Sequence, residues 1–413
     1  MTGIRAANRC HNHLGESMTL MGDNQQGADA IAYPTTDALM AEASAAAGLS
    51  DFGAPTFREG LDRLLQSLRE DADLTQAGWA GVKPMLLRRL TNRLQIEDWY
   101  RSHPEAEQAP VDGPVSIMGL ERTGTTALAN MMSLDPQFRS LRSWEQGQPC
   151  PPPTLEGEMR DPRRLDALAR IKALIAARPE QKAMHLYDID ATVEDHDLLG
   201  LEFRAQQTII PIFGYHAWWR DADMWAAYRY HRRVTALLQS SRPPNRWLFK
   251  APHHRFHLEA FLDAYPDTRF VFTHRDPAKV SPSFASFAAS LYPAGAAERH
   301  DMRRVGRLIH EHMLIGVQRA MEARARIGEH RFIDVHQHQI DRDPIGTLEC
   351  IYAFLDLELR PEMRAAVTRW VEANHNGAHG RHRYSAEQFG LTKEGIRSDY
   401  DFYIRHFGVR IED

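Results

Sequence analysis

The sequence predicts an α/β fold, a parallel sheet flanked by helices, with an N-terminal helical extension and a helical insertion. Three observations carry that expectation. Short apolar runs bounded by turn residues recur at "PVSIMGL" (114–120), "RWLFKAP" (246–252), "RFVFTHR" (269–275) and "RFIDVHQ" (331–337), as strands buried on both faces require. Helical stretches separate them, and strands alternating with helices build a parallel sheet. A glycine loop, Lys250 and His274-Arg275 all fall where these runs end, and open sheets of this kind bind ligands at the carboxyl ends of their strands.

In chain order, residues 1 to about 35 are polar, rich in small side chains and expected to be mobile. They contain no apolar core of a secretory signal, and Met18 or Met21 is a candidate start. Residues 36–110 read as a helical extension, with Leu61, Leu64, Leu65 and Leu68 of "FREGLDRLLQSLRED" on one face. The principal domain is expected over 111–413. Its first strand feeds a glycine-rich turn and a helix, "TALANMMSL", that stops at Asp135-Pro136. An insertion at 150–245 opens on a proline cluster and is expected to cap the acceptor side. Helices are expected at His254–Ala264, Pro277–Ser290 and Ala296–Arg326.

Composition narrows the class. The 413 residues are 43% hydrophobic and 25% charged, as in soluble globular proteins. A net charge of -5 argues against a nucleic-acid binder, which is usually basic. Cys10, Cys150 and Cys350 are far apart, so neither a zinc motif nor a disulfide framework is indicated, and a cytoplasmic location is expected. No apolar run approaches the length of a membrane span.

The motif with the most chemistry is Gly119-Leu120-Glu121-Arg122-Thr123-Gly124-Thr125-Thr126. It departs from the nucleotide-binding G-x-x-x-x-G-K-[ST] pattern because Thr125 stands in the lysine position and Arg122 lies inside the loop. A strand, a glycine turn and a helix N-terminus make a cup of N–H donors for a tetrahedral anion. Thr123, Thr125 and Thr126 add hydroxyls. ATP-using loops need the lysine and a Mg²⁺ site, and no clear acidic partner strand for a metal is evident. A ligand with a phosphate and one further singly charged group needs no metal, and a planar arginine can grip both.

The chain resembles sulfotransferases that use 3'-phosphoadenosine 5'-phosphosulfate (PAPS), especially the bacterial group related to tyrosylprotein sulfotransferases. Their [KR]-[ST]-G-[ST]-[ST] loop is matched by "RTGTT" (122–126), and their 3'-phosphate pair by Arg275 and Ser283 in "RDPAKVSPS". The resemblance spans roughly 110–390 and implies a P-loop NTPase-like fold. It also implies PAPS as co-substrate, adenosine 3',5'-bisphosphate as product, and a small-molecule hydroxyl acceptor, less readily an amine. Arg122, Thr123, Gly124, Thr125, Thr126, Arg275 and Ser283 would hold the donor. Arg381 and Arg383 of the late basic segment would help at the 3'-phosphate. Asp276 and Pro277 also read as the cap and first residue of a helix, and Pro282 is expected to bend it.

Sulfuryl transfer needs a base, a cation on the sulfuryl group and a cation for the leaving phosphate oxygen. The resemblance places Glu145 first as base, with His253 or His254 of "FKAPHHRF" as the rival. It makes Lys250 the leaving-group cation and Arg122 the sulfuryl contact. Trp218, Trp219, Trp225, Tyr228 and Tyr230 either line an aromatic or apolar acceptor pocket or belong to the core. "VEDHD" (193–197) either meets a cationic or polyhydroxyl acceptor or caps a helix. No metal-ligand spacing is evident. A P-loop kinase and a non-catalytic nucleotide-binding protein are the competing readings.

Overall fold

Five parallel strands form the sheet in the computed structural model, which describes residues 31–111, 113–177, 189–206, 209–374 and 384–412. The strands are β1 (Val115–Gly119), β2 (Phe138–Ser140), β3 (Arg246–Lys250), β4 (Arg269–His274) and β5 (Phe332–His336), in spatial order β2-β3-β1-β4-β5. Four are the expected apolar runs. β2 is three residues long, too short to leave a periodic signal. β1 is central and wholly buried, pairing with β3 from Val115↔Leu248 and with β4 from Val115↔Arg269 to Gly119↔Thr273. The carboxyl ends of β1, β3 and β4 therefore lie side by side.

The helices in order are α1 (Thr36–Ala47), α2 (Phe57–Glu70), α3 (Gln76–Ser102), α4 (Thr125–Met132), α5 (Ser143–Gly147), α6 (Pro162–Ala177), α7 (His196–Gly200), α8 (Phe213–Asp221) and α9 (Trp225–Gln239). After β3 come α10 (Leu258–Ala264), α11 (Pro277–Ser290), α12 (Met302–Ile327), α13 (Gln337–Arg342), α14 (Pro344–Phe354), α15 (Pro361–Ala373), α16 (Lys393–Asp399) and α17 (Asp401–Phe407). The expected leucine face of α2 is buried. α11 has the expected bounds and runs unbroken through Pro282. Asp276 caps it by accepting from the Ala278 N–H at 2.9 Å. The stretch expected as one helix from His254 instead begins as a 3₁₀ turn, Pro252–Phe256, before α10.

Side chains alternate across the sheet with the period of two that strands impose. Val115, Ile117, Leu248 and Val271 face one way, against Leu128, Met132, Ile351 and Tyr352 of α4 and α14. Phe249 and Phe270 face the other way and meet Phe261 of α10. Tyr33–Asp413 form one compact unit. Within it, the buried Arg93 of α3 pairs with Glu202 at 2.5 Å and stacks on Tyr230. The N-terminal residues 1–30, expected to be mobile, lie outside the described residues. No described helix is long and apolar enough to cross a membrane.

Candidate active site

β1 ends at Gly119 with φ +154°, and a Cβ there would lie 2.4 Å from Thr273 Oγ1 on β4. Glycine is required by that close approach. Arg122 then adopts φ +64° and Gly124 φ +90°, left-handed backbone that turns the chain into the N-terminus of α4. A non-glycine residue in this region is a strained conformation of the kind found at ligand-binding turns. The Thr123 hydroxyl does not join the anion cup. It points inward, 2.6 Å from both Leu120 O and Thr273 Oγ1, and braces the loop against β4. Arg122, Gly124, Thr125 and Thr126 line a cleft of about 500 Å³.

Arg275 and Ser283 converge on this loop. Arg275 donates to the Arg122 carbonyl at 3.2 Å, and Arg122 Nε donates to Ser283 Oγ at 3.3 Å. Arg275 also donates twice to the Glu412 carboxylate, at 2.8 and 2.9 Å. These bonds raise the Arg275 pKa above its ordinary value. The Arg275 guanidinium is thus held in bidentate fashion by a carboxylate of the same chain. An adjoining cavity of about 390 Å³ shares Arg275, Gln337 and Asp341 with the cleft. Arg381 and Arg383 lie outside the described residues.

Lys250 ends β3 almost fully buried. Its ammonium lies 3.3 Å from Glu194 Oε1 and 3.5 Å from Thr126 Oγ1, so the strand end, the loop and the insertion meet at one cation. Glu194 and His196 both line the cleft. They come from the "VEDHD" stretch, whose middle residue anchors it: the buried Asp195 lies 2.9 Å from His231 Nε2 and from His254 Nε2.

That network separates the two candidate histidines. His254 has Tyr228 on one nitrogen at 2.9 Å and Asp195 on the other. His253 lines the cleft, and its Nε2 has no hydrogen-bond partner among the described residues. Its pKa lies well below the ordinary value, first through burial and then through His254 and His196 nearby. The imidazole is therefore neutral near neutral pH.

The structure does not bring Glu145 to the cleft. It sits fully buried on α5, where Oε1 accepts from Arg139 at 3.0 Å and Oε2 from the Arg142 N–H at 3.2 Å. Arg242 is 4.0 Å away. Arg139, itself buried over Trp247, has its pKa pushed down to about 10, chiefly by burial. This is a structural ion pair, and the carboxylate offsets the desolvation of the arginine. Glu145→Gln should therefore lower stability by about 1.5–3 kcal/mol, as expected for loss of a charged hydrogen-bond partner. Turnover per folded molecule should remain. Melting curves and rates together check this, and a fully folded but inactive variant would return the base role to Glu145.

The aromatic cluster of the insertion is mostly core. Trp219, Tyr228 and Tyr230 are buried, while Trp225 is exposed, and none of the five lines the cleft. The apolar wall comes instead from Phe284 and Phe287 of α11, Leu291 at its C-cap, and Ile209. Sequence reasoning offered Glu194 and His196 only as part of the 193–197 stretch and did not find this wall. The signal was present only as an acidic stretch and as an i, i+3, i+7 stripe that runs from α11 to its C-cap.

Comparisons with known proteins agree with the geometry. A sulfotransferase family model matches residues 114–361. The crystal structure of sulfotransferase STF9 from Mycobacterium avium superposes with a TM-score of 0.84 and 31% identity, covering 92% of this chain and 98% of that one. Sulfotransferase STF1 from Mycobacterium tuberculosis H37Rv gives a TM-score of 0.79 and 28% identity, covering 89% of this chain and 98% of that one. A search of curated protein sequences finds no significant match. With a P-loop NTPase-like sheet, an arginine-bearing anion loop in place of a lysine-bearing one, and these matches along most of its length, the chain belongs to the sulfotransferase family.

Proposed function

We propose that the protein transfers a sulfuryl group from PAPS to the hydroxyl of a small-molecule acceptor. The observation that carries this reading is the convergence of two anion sites, the Arg122 loop and Arg275, with His253 in one cleft, whose lining residues Thr126 and Glu194 contact the buried Lys250. Two arginines and a helix N-terminus match a ligand with separated phosphates. The 3'-phosphate would displace the Glu412 carboxylate from Arg275, and its adenosine would extend toward the adjoining cavity.

PAPS supplies an activated sulfuryl group when bound. In that state Arg122, Thr125 and Thr126 hold the 5'-phosphosulfate oxygens, and Arg275 with Ser283 holds the 3'-phosphate. His253 takes the acceptor's hydroxyl proton as the acceptor oxygen bonds to sulfur. Lys250 stabilises the charge left on the phosphate oxygen as the sulfur–oxygen bond breaks, giving a sulfate ester and adenosine 3',5'-bisphosphate. Residues 150–245 supply Glu194, His196, Gln206 and Ile209 to the acceptor side. A location in the cytoplasm suits this donor.

Arg275→Ala should weaken binding of adenosine 3',5'-bisphosphate by about 10- to 150-fold, the loss of a charge-assisted contact. Binding of adenosine 5'-phosphosulfate should change little. Calorimetry on both ligands checks the assignment, and equal losses for the two would remove Arg275 from the 3'-phosphate. A P-loop kinase reading instead requires ATP turnover that EDTA abolishes.

A further inference from the structure

The two arginines of the anion sites are held differently. Arg122 rests on the Ser283 hydroxyl, whereas Arg275 carries a carboxylate from the segment after α17. Glu412 accepts from Arg275 Nε at 2.8 Å and from Nη2 at 2.9 Å. The backbone of Glu412 is fixed independently of that side chain. Its N–H donates to Asp276 Oδ2 at 2.9 Å, and its carbonyl accepts from Arg397 Nη2 at 2.6 Å. Arg397 also donates to Asp276 Oδ2 at 2.7 Å, and Asp276 is fully buried at the cap of α11. Main-chain bonds therefore hold the carboxylate on the guanidinium and do not depend on it. The pair itself is open to solvent, with the side chains of Arg275 and Glu412 29% and 30% exposed. Ion pairs at such exposure separate at small cost. Glu412 also borders the cavity of about 390 Å³, which gives its side chain room to turn away.

We propose that Glu412 is an internal competitor for the 3'-phosphate, and that it sets how tightly the protein holds any nucleotide bearing one. The proposal rests on the reading of Arg275 as the 3'-phosphate contact. A phosphate dianion attracts a guanidinium more strongly than a singly charged carboxylate does, so a ligand with a 3'-phosphate displaces Glu412. The free energy of the displaced pair is then subtracted from the ligand's affinity. The carboxylate left beside the phosphate subtracts more, through repulsion between like charges. A nucleotide with a 3'-hydroxyl leaves the pair intact and has no such loss. PAPS and the bisphosphate product bear the same 3'-phosphate, so both are weakened. The consequence falls on KM for PAPS and on inhibition by the bisphosphate, because the contact is remote from the sulfuryl group and common to ground and transition states.

The test compares Glu412→Gln and Glu412→Ala with the unmodified full chain. Calorimetry gives the affinity for adenosine 3',5'-bisphosphate and for adenosine 5'-phosphosulfate, which lacks the 3'-phosphate. Bisphosphate affinity should rise about three- to tenfold in Glu412→Gln, the scale of one partly exposed bidentate pair. It should rise at least as far in Glu412→Ala, because glutamine can still accept one bond from Arg275. Affinity for the phosphosulfate should stay within about twofold, and KM for PAPS should fall with the bisphosphate dissociation constant. A damaged fold does not tighten a ligand, so the direction of the change separates competition from a structural role. The gain should shrink when Arg275 is also changed to alanine, since no guanidinium is then released. Unchanged or weaker bisphosphate binding in both variants would overturn the proposal. An equal gain for both nucleotides, or an undiminished gain beside Arg275→Ala, would also overturn it by assigning the effect to overall charge. No bisphosphate binding in any of the proteins would remove the donor reading and this proposal with it, whereas binding without a gain removes this proposal alone.

Discussion

His253→Gln should lower kcat for sulfuryl transfer by about 10²- to 10⁴-fold, the usual contribution of a positioned general base. Glutamine keeps the polar bulk of the side chain but cannot take the acceptor's proton. Affinity for adenosine 3',5'-bisphosphate should stay within about threefold, because the two anion sites are built by other residues. The pH profile separates this role from a structural one. A histidine whose pKa is depressed stays neutral to lower pH, so the acidic fall in kcat/KM for PAPS, which reports the free enzyme, should lie below the ordinary histidine range. Activity is present above that point and is lost as pH falls through it. In kcat the fall should lie at higher pH, because a bound polyanion favours the protonated ring. Both limbs should disappear in the variant. If His253→Gln turned over at the unmodified rate, the base would have to be sought at Glu194 or His196, which share the cleft.

Lys250→Met should cost about 10²- to 10³-fold in single-turnover rate, comparable to removing one donor from a preorganised oxyanion site. Methionine preserves the volume at the end of β3, so the sheet should be little disturbed. Two effects combine. The charge that grows on the leaving phosphate loses its cation, and Glu194, now without the ammonium 3.3 Å away, presents an uncompensated carboxylate to an anionic donor. Donor affinity should therefore fall as well as the chemical step. Rapid-quench rates at saturating PAPS isolate the chemical step, and a rate within threefold of the unmodified protein would remove Lys250 from the chemistry.

The legible parts of this protein were those governed by local pattern. Four of five strands announced themselves as apolar runs because a parallel sheet buries both faces. The loop announced itself through glycines that the close approach of β1 to Thr273 requires. Arg122, Arg275 and Lys250 could be placed because each lies at or just beyond a strand end, and Ser283 because it follows Arg275 on the next helix. What local pattern could not show was side-chain direction. Thr123 sits one residue from Gly124 yet points into the core. Glu145 looked available until Arg139 and the distant Arg242 enclosed it. His253 and His254 are adjacent in sequence, and only Tyr228 and Asp195 decide that the second is fully engaged. Glu194 reaches the cleft because Asp195 ties its loop to two histidines from other segments.

The most direct test of the account is a thermal-shift titration with adenosine 3',5'-bisphosphate, run beside ATP–Mg²⁺. A ligand that binds only the folded state adds about 2.7 kcal/mol of apparent stability at a hundredfold excess over its dissociation constant. The account predicts a clear rise in melting temperature with the bisphosphate, a rise that Arg275→Ala reduces, and little response to ATP–Mg²⁺. A rise with ATP–Mg²⁺ and none with the bisphosphate would contradict it, because the Arg122 loop would then be serving as a nucleoside triphosphate site without its lysine.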